Sequence, residues 1–295
     1  MNNTSPHAGK YIDPMVDFAF KKIFKDSGNK KLLIRPLNEF FDLDITDIEI
    51  RESEHLGETK KDRRASFDIH CEGSDKSKFI IEVQIAPQTY FQKRALYYST
   101  FPIREQAPRG FLGRRKNWNF NFAPVYFLGL IDFNMPHPEP EKYDPNIFIH
   151  KFSIRHEITG ERYADSLTLA FCEIARFNKK KEECNTFEDR FLYLFKNLPT
   201  FAERPELFWD DPYFDEFLEV AEFVSMTPEE KRKYNEDLKM RYDYDNTIAY
   251  AKEQGFKQGV EQNQESTAKK MLADNVPAEV IAKYIGLSAE EIRKL

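Results

Sequence analysis

Residues 65–72 read ASFDIHCE, residues 73–77 read GSDKS and residues 78–86 read KFIIEVQIA. Two strand-like runs flank a short turn-forming stretch, so the segment reads as a β-hairpin. Side chains alternate faces along a strand. Asp68, His70 and Glu72 therefore share one face of the first strand, and Phe67, Ile69 and Cys71 the other. In the second strand Phe79, Ile81, Val83 and Ile85 oppose Ile80, Glu82 and Gln84. A loop from Gly73 to Ser77 pairs Glu72 with Lys78; the same register sets Asp68 across from Glu82 and Ser66 across from Gln84. Directly opposed Cβ atoms lie about 4.5–5.5 Å apart, and like charges so placed repel. Such a pair is a poor structural choice but a good seat for Mg²⁺ or Mn²⁺, which take oxygen ligands. A one-residue slip would instead send a carboxylate to solvent, and the pattern leaves both readings open.

Upstream of the hairpin, DPMVDFAFKKIFKD (residues 13–26) places Val16, Phe20, Ile23 and Phe24 at helical spacing, with Asp13 and Pro14 as N-cap and first turn. A second helix is expected from about Lys30 to Phe41, then a strand in ITDIEIRE. After the hairpin, Gln88 to Gln106 reads as a helix that Pro102 should end or kink. NFAPVYFLGLIDF and NIFIHKFSIRHE read as further strands. Helices and strands mixed in this order predict an α/β or α+β sheet domain over residues 11–157.

Beyond it, SLTLAFCEIARF, EDRFLYLFKNL and YFDEFLEVAEFVSM carry apolar residues at three- and four-residue spacing, which predicts a helical extension over residues 158–228. Thr227-Pro228-Glu229-Glu230 is a capping box that opens a long charged helix over residues 229–265. Gly255 and Gly259 lie on one face of it. Residues 266–295 form three short helical pieces with breaks at Asp274-Asn275 and Gly286-Leu287-Ser288, a helix-turn-helix-like tail. Its last helix, AEEIRKL, is too acidic for a groove reader, which favours a small helical cap or an oligomerisation element, such as that of a homodimer.

Composition narrows the classes. At 15% aromatic and 41% hydrophobic, the chain has too much surface to bury for a disordered protein. No apolar run approaches the ~20 residues of a membrane span, and the N-terminus lacks a signal-peptide apolar core. Cys71, Cys172 and Cys184 share no metal-like spacing, and the expectation is a reduced, cytoplasmic chain. The net charge of -6 gives no global basic field. Yet Phe91 to Phe122 holds Lys93, Arg94, Arg104, Arg109, Arg114, Arg115 and Lys116 against Glu105 alone, a stripe suited to an anionic polymer.

An Asp on one hairpin strand and Glu-x-Gln on the next resemble the PD-(D/E)XK nuclease superfamily. The flanks sharpen this: DFAFKKIF, RRASFDIHC, FIIEVQ, YFQKRALYYS, VYFLGLIDF and the late RYDYDNTIAYAKEQGFKQG. Together they resemble the PD-(D/E)XK nuclease family transposases, related to Rpn-type recombination-promoting nucleases. The resemblance implies a restriction-endonuclease-like mixed sheet flanked by helices, followed by a C-terminal helical region. It implies a metal-dependent DNA endonuclease of mobile elements or recombination, with Mg²⁺ or Mn²⁺ as cofactor and DNA as partner. The alternative is a catalytically weak nuclease-fold protein that binds DNA or protein.

Carried over by residue, the resemblance makes Asp68 and Glu82 metal ligands, helped by the Val83 carbonyl. Gln84 takes the superfamily's Lys position; it can orient water by hydrogen bonding but carries no charge. Asp17 and Lys21 match the N-terminal motif, and are equally an ordinary i,i+4 pair. Arg94 suits a phosphate clamp, or a salt bridge within the sheet domain. Arg114, Arg115 and Lys116, with Trp118, suit a DNA backbone, or a solvated loop. His70 stands two residues from Asp68 as a third ligand or base, or as a hydrogen-bonded edge residue; Tyr97 and Tyr98 are aromatic support.

Overall fold

A computed structural model describes residues 9–51, 54–55, 65–88, 90–107, 120–136 and 144–295. The chain forms two compact units, residues 1–238 and 239–295.

The first unit is built on a six-stranded mixed sheet in the order β1-β4-β5-β6-β8-β7. Its strands are β1 (Ile48–Ile50), β4 (Ile69–Gly73), β5 (Lys78–Gln84), β6 (Val125–Ile131), β7 (Ile149–Ser153) and β8 (Leu167–Glu173). Short β2 (Glu54–His55) and β3 (Ala65–Ser66) pair with each other. The β4–β5 hairpin is antiparallel with Glu72 opposite Lys78 and Ile69 opposite Ile81, the register expected from the loop length. Strands β5, β6 and β8 run parallel, and β1 and β7 close the edges antiparallel.

Helices cover both faces, as the fold class requires. On one face α1 (Asp17–Lys25) and α2 (Lys30–Phe41) bury Phe20, Ile23, Phe24, Leu33, Leu37 and Phe40. They pack with α4 (Phe187–Asn197) and α5 (Pro212–Val220) in one core that includes Phe79, Ile81 and Tyr126. On the other face α3 (Phe91–Glu105) lays Phe91 and Ala95 against Ile80, Phe127, Ile131 and Phe171. Gly129 permits that approach: a Cβ there would sit 3.0 Å from Phe171 and 3.3 Å from both Phe127 and Phe91. It lies beside Glu82 in the register, so the close seat of α3 is set next to the carboxylates.

Several expectations are corrected. Residues 166–177, expected helical, supply β8, whose seven residues lie between β6 and β7. A strand buried on both faces loses its alternation and reads as a continuous apolar run, which periodicity does not separate from a buried helix. Phe67 packs with Ile80 and Phe91 rather than with Ile69 and Cys71, because the chain bends at Asp68 and restarts the alternation. Asp13 closes a turn, its carboxylate accepting from Met15 N at 2.9 Å, and α1 begins only at Asp17. Of the two outcomes expected at Pro102, an end or a kink, the helix does not end there: α3 runs on to Glu105. Cys71, Cys172 and Cys184 are all buried and form no disulfide. Among the described residues no helix is long and apolar enough to cross a membrane.

Helix α6 (Pro228–Ala273) opens at the Thr227 capping box, Thr227 N donating to Glu230 at 2.8 Å. In the second unit its later turns meet α7 (Ala278–Ile285) and α8 (Ala289–Ile292) around Ala268, Ala278, Ile281 and Ile292. The breaks fall at the expected places: Asn275 and Gly286 both take positive φ, and Ser288 caps α8.

Candidate active site

The last ladder pair of the hairpin is Ile69 with Ile81; one residue further, side chains replace the ladder. Asp68 N donates to Glu82 Oε1 at 3.2 Å, and Val83 N donates to Asp68 Oδ2 at 2.8 Å. Each carboxylate thus ties its own strand to the backbone of the other. The Val83 N–H points toward β4, whereas the Gln84 carbonyl accepts from Asp132 N just past β6. Within a strand, one residue's N–H and C=O share an edge, so the Val83 carbonyl faces the Asp68 side as well.

Glu82 is only 5% exposed. Burial, then the neighbouring Asp68 charge, pushes its carboxyl up to about 8, against the pull of Arg94. Asp68 is raised too, first by burial, with the Asp17 charge adding and the Val83 N–H, Lys21 and Arg94 opposing. A buried and a half-buried carboxylate that each resist ionisation form a site short of positive charge. Three oxygen donors, two of them carboxylates, fit a hard divalent ion. Among the described residues no three His, Cys, Asp or Glu side chains converge as a ligand set, so His70 does not join the pair. It is buried against the edge of Phe67 instead. Glu72, on the same strand, is held by Arg51, Lys76 and Lys78 and belongs to a structural network.

Arg94 comes from α3. Its guanidinium donates to Gln84 Oε1 at 2.7 Å, lies 3.6 Å from Glu82 Oε2, and also bonds Gln88. The Tyr98 ring lies 5.6 Å from it, while Tyr97 is exposed. Gln84 is engaged at both ends, its Nε2 donating to Ala86 O at 3.1 Å. One Gln84 N–H remains for a water.

Lys21 pairs with Asp17 at 2.8 Å on α1. Burial would lower its amine, but Asp17 outweighs this and, with Asp68 and Asp237, raises it. The N-terminal motif therefore reaches the field of the hairpin carboxylates. Arg114, Arg115, Lys116 and Trp118 lie outside the described residues.

One set of residues was not anticipated. Along the start of α6, Glu230, Tyr234 and Asp237 form an i, i+4, i+7 stripe that grips α1 and the turn before it. Lys22 pairs with Glu230 at 2.7 Å, Asp13 N donates to Tyr234 Oη at 2.9 Å, and Phe18 N donates to Asp237 Oδ2 at 3.0 Å. A signal was available in Tyr234 and Leu238, four apart among the charged residues at the start of the helix and both buried.

A six-stranded mixed sheet flanked by helices, with this hairpin at its centre, is a restriction-endonuclease-like α/β fold. In agreement, the family model for PD-(D/E)XK nuclease family transposases matches residues 14–251, and the chain belongs to that family. The family is one of nuclease-type proteins of mobile elements. No curated protein and no solved structure matches the chain.

Proposed function

We propose that the protein is a metal-dependent DNA endonuclease that hydrolyses phosphodiesters, acting in the cytoplasm in mobile-element or recombination events. The crossed pair Asp68 and Glu82 carries this reading. Asp68, Glu82 and the Val83 carbonyl would hold Mg²⁺ or Mn²⁺. When bound, such an ion lowers the pKa of a water and polarises the phosphate.

The other roles belong to the chain's own groups. Gln84 uses its remaining N–H to orient the attacking water. Arg94, fixed by Gln84 and Gln88, places its guanidinium beside the carboxylates and binds a phosphate oxygen of the strand. It supplies the positive charge that Gln84 lacks in the superfamily's Lys position. Lys21, buffered by Asp17, offsets charge on the transition state. The stripe that includes Arg114, Arg115 and Lys116 would bind the DNA backbone, and such contacts should weaken with salt as counterions are released.

The binding-module reading draws on the uncharged Gln84 in the superfamily's Lys position and on its engagement at both ends, which leaves one N–H for a water. Plasmid nicking in Mn²⁺ separates the two. Wild type should exceed Glu82→Ala by orders of magnitude; equal rates on every DNA tried would favour the binding module.

A further inference from the structure

A second candidate site lies on the opposite face of the sheet. Glu82 stands beside Gly129 in the register, whereas Tyr126, an odd number of residues earlier, faces the other way. There Tyr126 and Thr168 floor a cavity of about 550 Å³, rimmed by Lys151, Arg155, Arg162 and Asp165.

The rim has an arrangement that folding alone does not favour. Arg155 and Arg162 are partners in an isolated antiparallel bridge, and like charges directly opposed across strands are destabilising. Both guanidiniums are nevertheless anchored. Arg162 is held by Asp165 at 2.8 Å and donates to Thr168 Oγ1 at 2.7 Å. Arg155 donates to Ser153 Oγ at 2.9 Å and to Gly160 O at 3.0 Å, both neutral acceptors. Lys151 is 3.9 Å from Asp42, whose side chain is 90% exposed, so its charge is little offset. Three cations and two carboxylates therefore line the cavity, Asp165 closely engaged with Arg162 and Asp42 only loosely with Lys151, which leaves it net positive. Fixed guanidinium forks match phosphate oxygens, and the volume lies within the range of small-ligand sites.

We propose that this cavity binds a phosphate-bearing ligand of nucleotide size, its phosphate lying between Arg155, Arg162 and Lys151. The same chemistry is offered by a free nucleotide or by one nucleotide unit of a DNA strand. The site does not depend on the nuclease reading, because it shares no residue with the hairpin carboxylates.

The test is calorimetric titration of the full chain in EDTA with thymidine 5′-monophosphate, thymidine and a twelve-residue oligothymidylate. Saturable binding of the monophosphate is expected, at least tenfold tighter than of thymidine. Arg155→Glu and Lys151→Gln should each weaken it at least tenfold, while Glu82→Gln leaves it unchanged. Should Arg155→Glu lose its near-ultraviolet circular dichroism, Lys151→Gln carries the comparison. Tighter binding of the oligomer, equally sensitive to these variants, assigns the site to a strand. Oligomer binding no tighter than the monophosphate assigns it to a free nucleotide. Absence of saturable binding by either phosphate compound, or binding untouched by both rim variants, overturns the proposal.

Discussion

Glu82 accepts the backbone N–H of Asp68 while Asp68 accepts the backbone N–H of Val83, so two like-charged residues hold one another's strands in place. The hydrogen bonds fix the geometry, and burial with mutual repulsion opposes the double charge. A site built this way is ordered without a cation, and a divalent ion bound there would relieve its repulsion.

Neutral isosteres follow from this directly. Glu82→Gln and Asp68→Asn each keep an acceptor oxygen for the opposite amide but remove one buried charge. In EDTA both variants should melt at or above the wild-type temperature. Mn²⁺ should raise the melting temperature of the wild type, since a ligand that binds only the native state stabilises it, and should leave both variants unmoved. A metal-induced rise surviving in both would place the ion elsewhere.

The pH dependence of the metal-free protein has a definite sign. With Glu82 near 8 when folded and 4.5 when unfolded, the native state binds the extra proton between those values. Stability therefore falls as pH rises from about 5 to about 8. Glu72 acts oppositely: burial would raise it, but Lys78, Lys76 and Arg51 bring it to about 2. Its contribution is present above about 4.5 and is lost as pH falls toward 2. Urea titrations across pH should show Glu82→Gln flattening the alkaline limb and Glu72→Gln the acid one. An unchanged alkaline limb in Glu82→Gln would contradict the raised carboxyl.

How far the sequence alone carries depends on whether the deciding interaction is local. Hairpin register follows from a short loop, so the approach of Asp68 to Glu82 was legible. The bend that returns Phe67 to the other face was not, because it arises from side-chain bonding to backbone at Asp68. β8 was read as a helix because a strand covered on both faces carries no period. Arg94 was legible as a cation near the site, but its bond to Gln84 depends on the close seat of α3 over Gly129. The grip of α6 on α1 joins residues more than 200 positions apart, beyond any periodic signal.

Arg94 and Gln84 should behave as a unit. Arg94→Ala frees the Gln84 carbonyl and withdraws the cation from Glu82, so nicking in Mn²⁺ should drop about 10²–10³-fold, the usual loss for one transition-state donor. Arg94→Lys keeps charge but not the fork that reaches both Gln84 and Gln88, and should recover only part of the rate. Gln84→Ala in the Arg94→Ala background should add little, since neighbouring changes are not additive. Fully additive losses would mean that the two side chains act separately.

The stripe on α6 makes the last prediction. Asp237 Oδ2 takes the Phe18 N–H in the first turn of α1, where the helix amides lack intrahelical partners and a negative charge is favoured. Removing such an acceptor costs about 1 kcal/mol. Asp237 also lies within the field of Asp17 and Lys21, and burial with the Asp17 charge raises its own carboxyl. Asp237→Asn keeps an oxygen for Phe18 N and removes the charge beside Lys21, whereas Asp237→Ala removes both. If α6 serves only to hold α1, urea unfolding should show Asp237→Ala destabilised and Asp237→Asn close to wild type, with nicking rates following stability. If it also sets the charge on Lys21, Asp237→Asn should keep its stability yet shift the alkaline limb of the nicking pH profile downward, because Lys21 then loses its proton more readily. A profile in Asp237→Asn that overlays the wild type would confine Asp237 to the mechanical role.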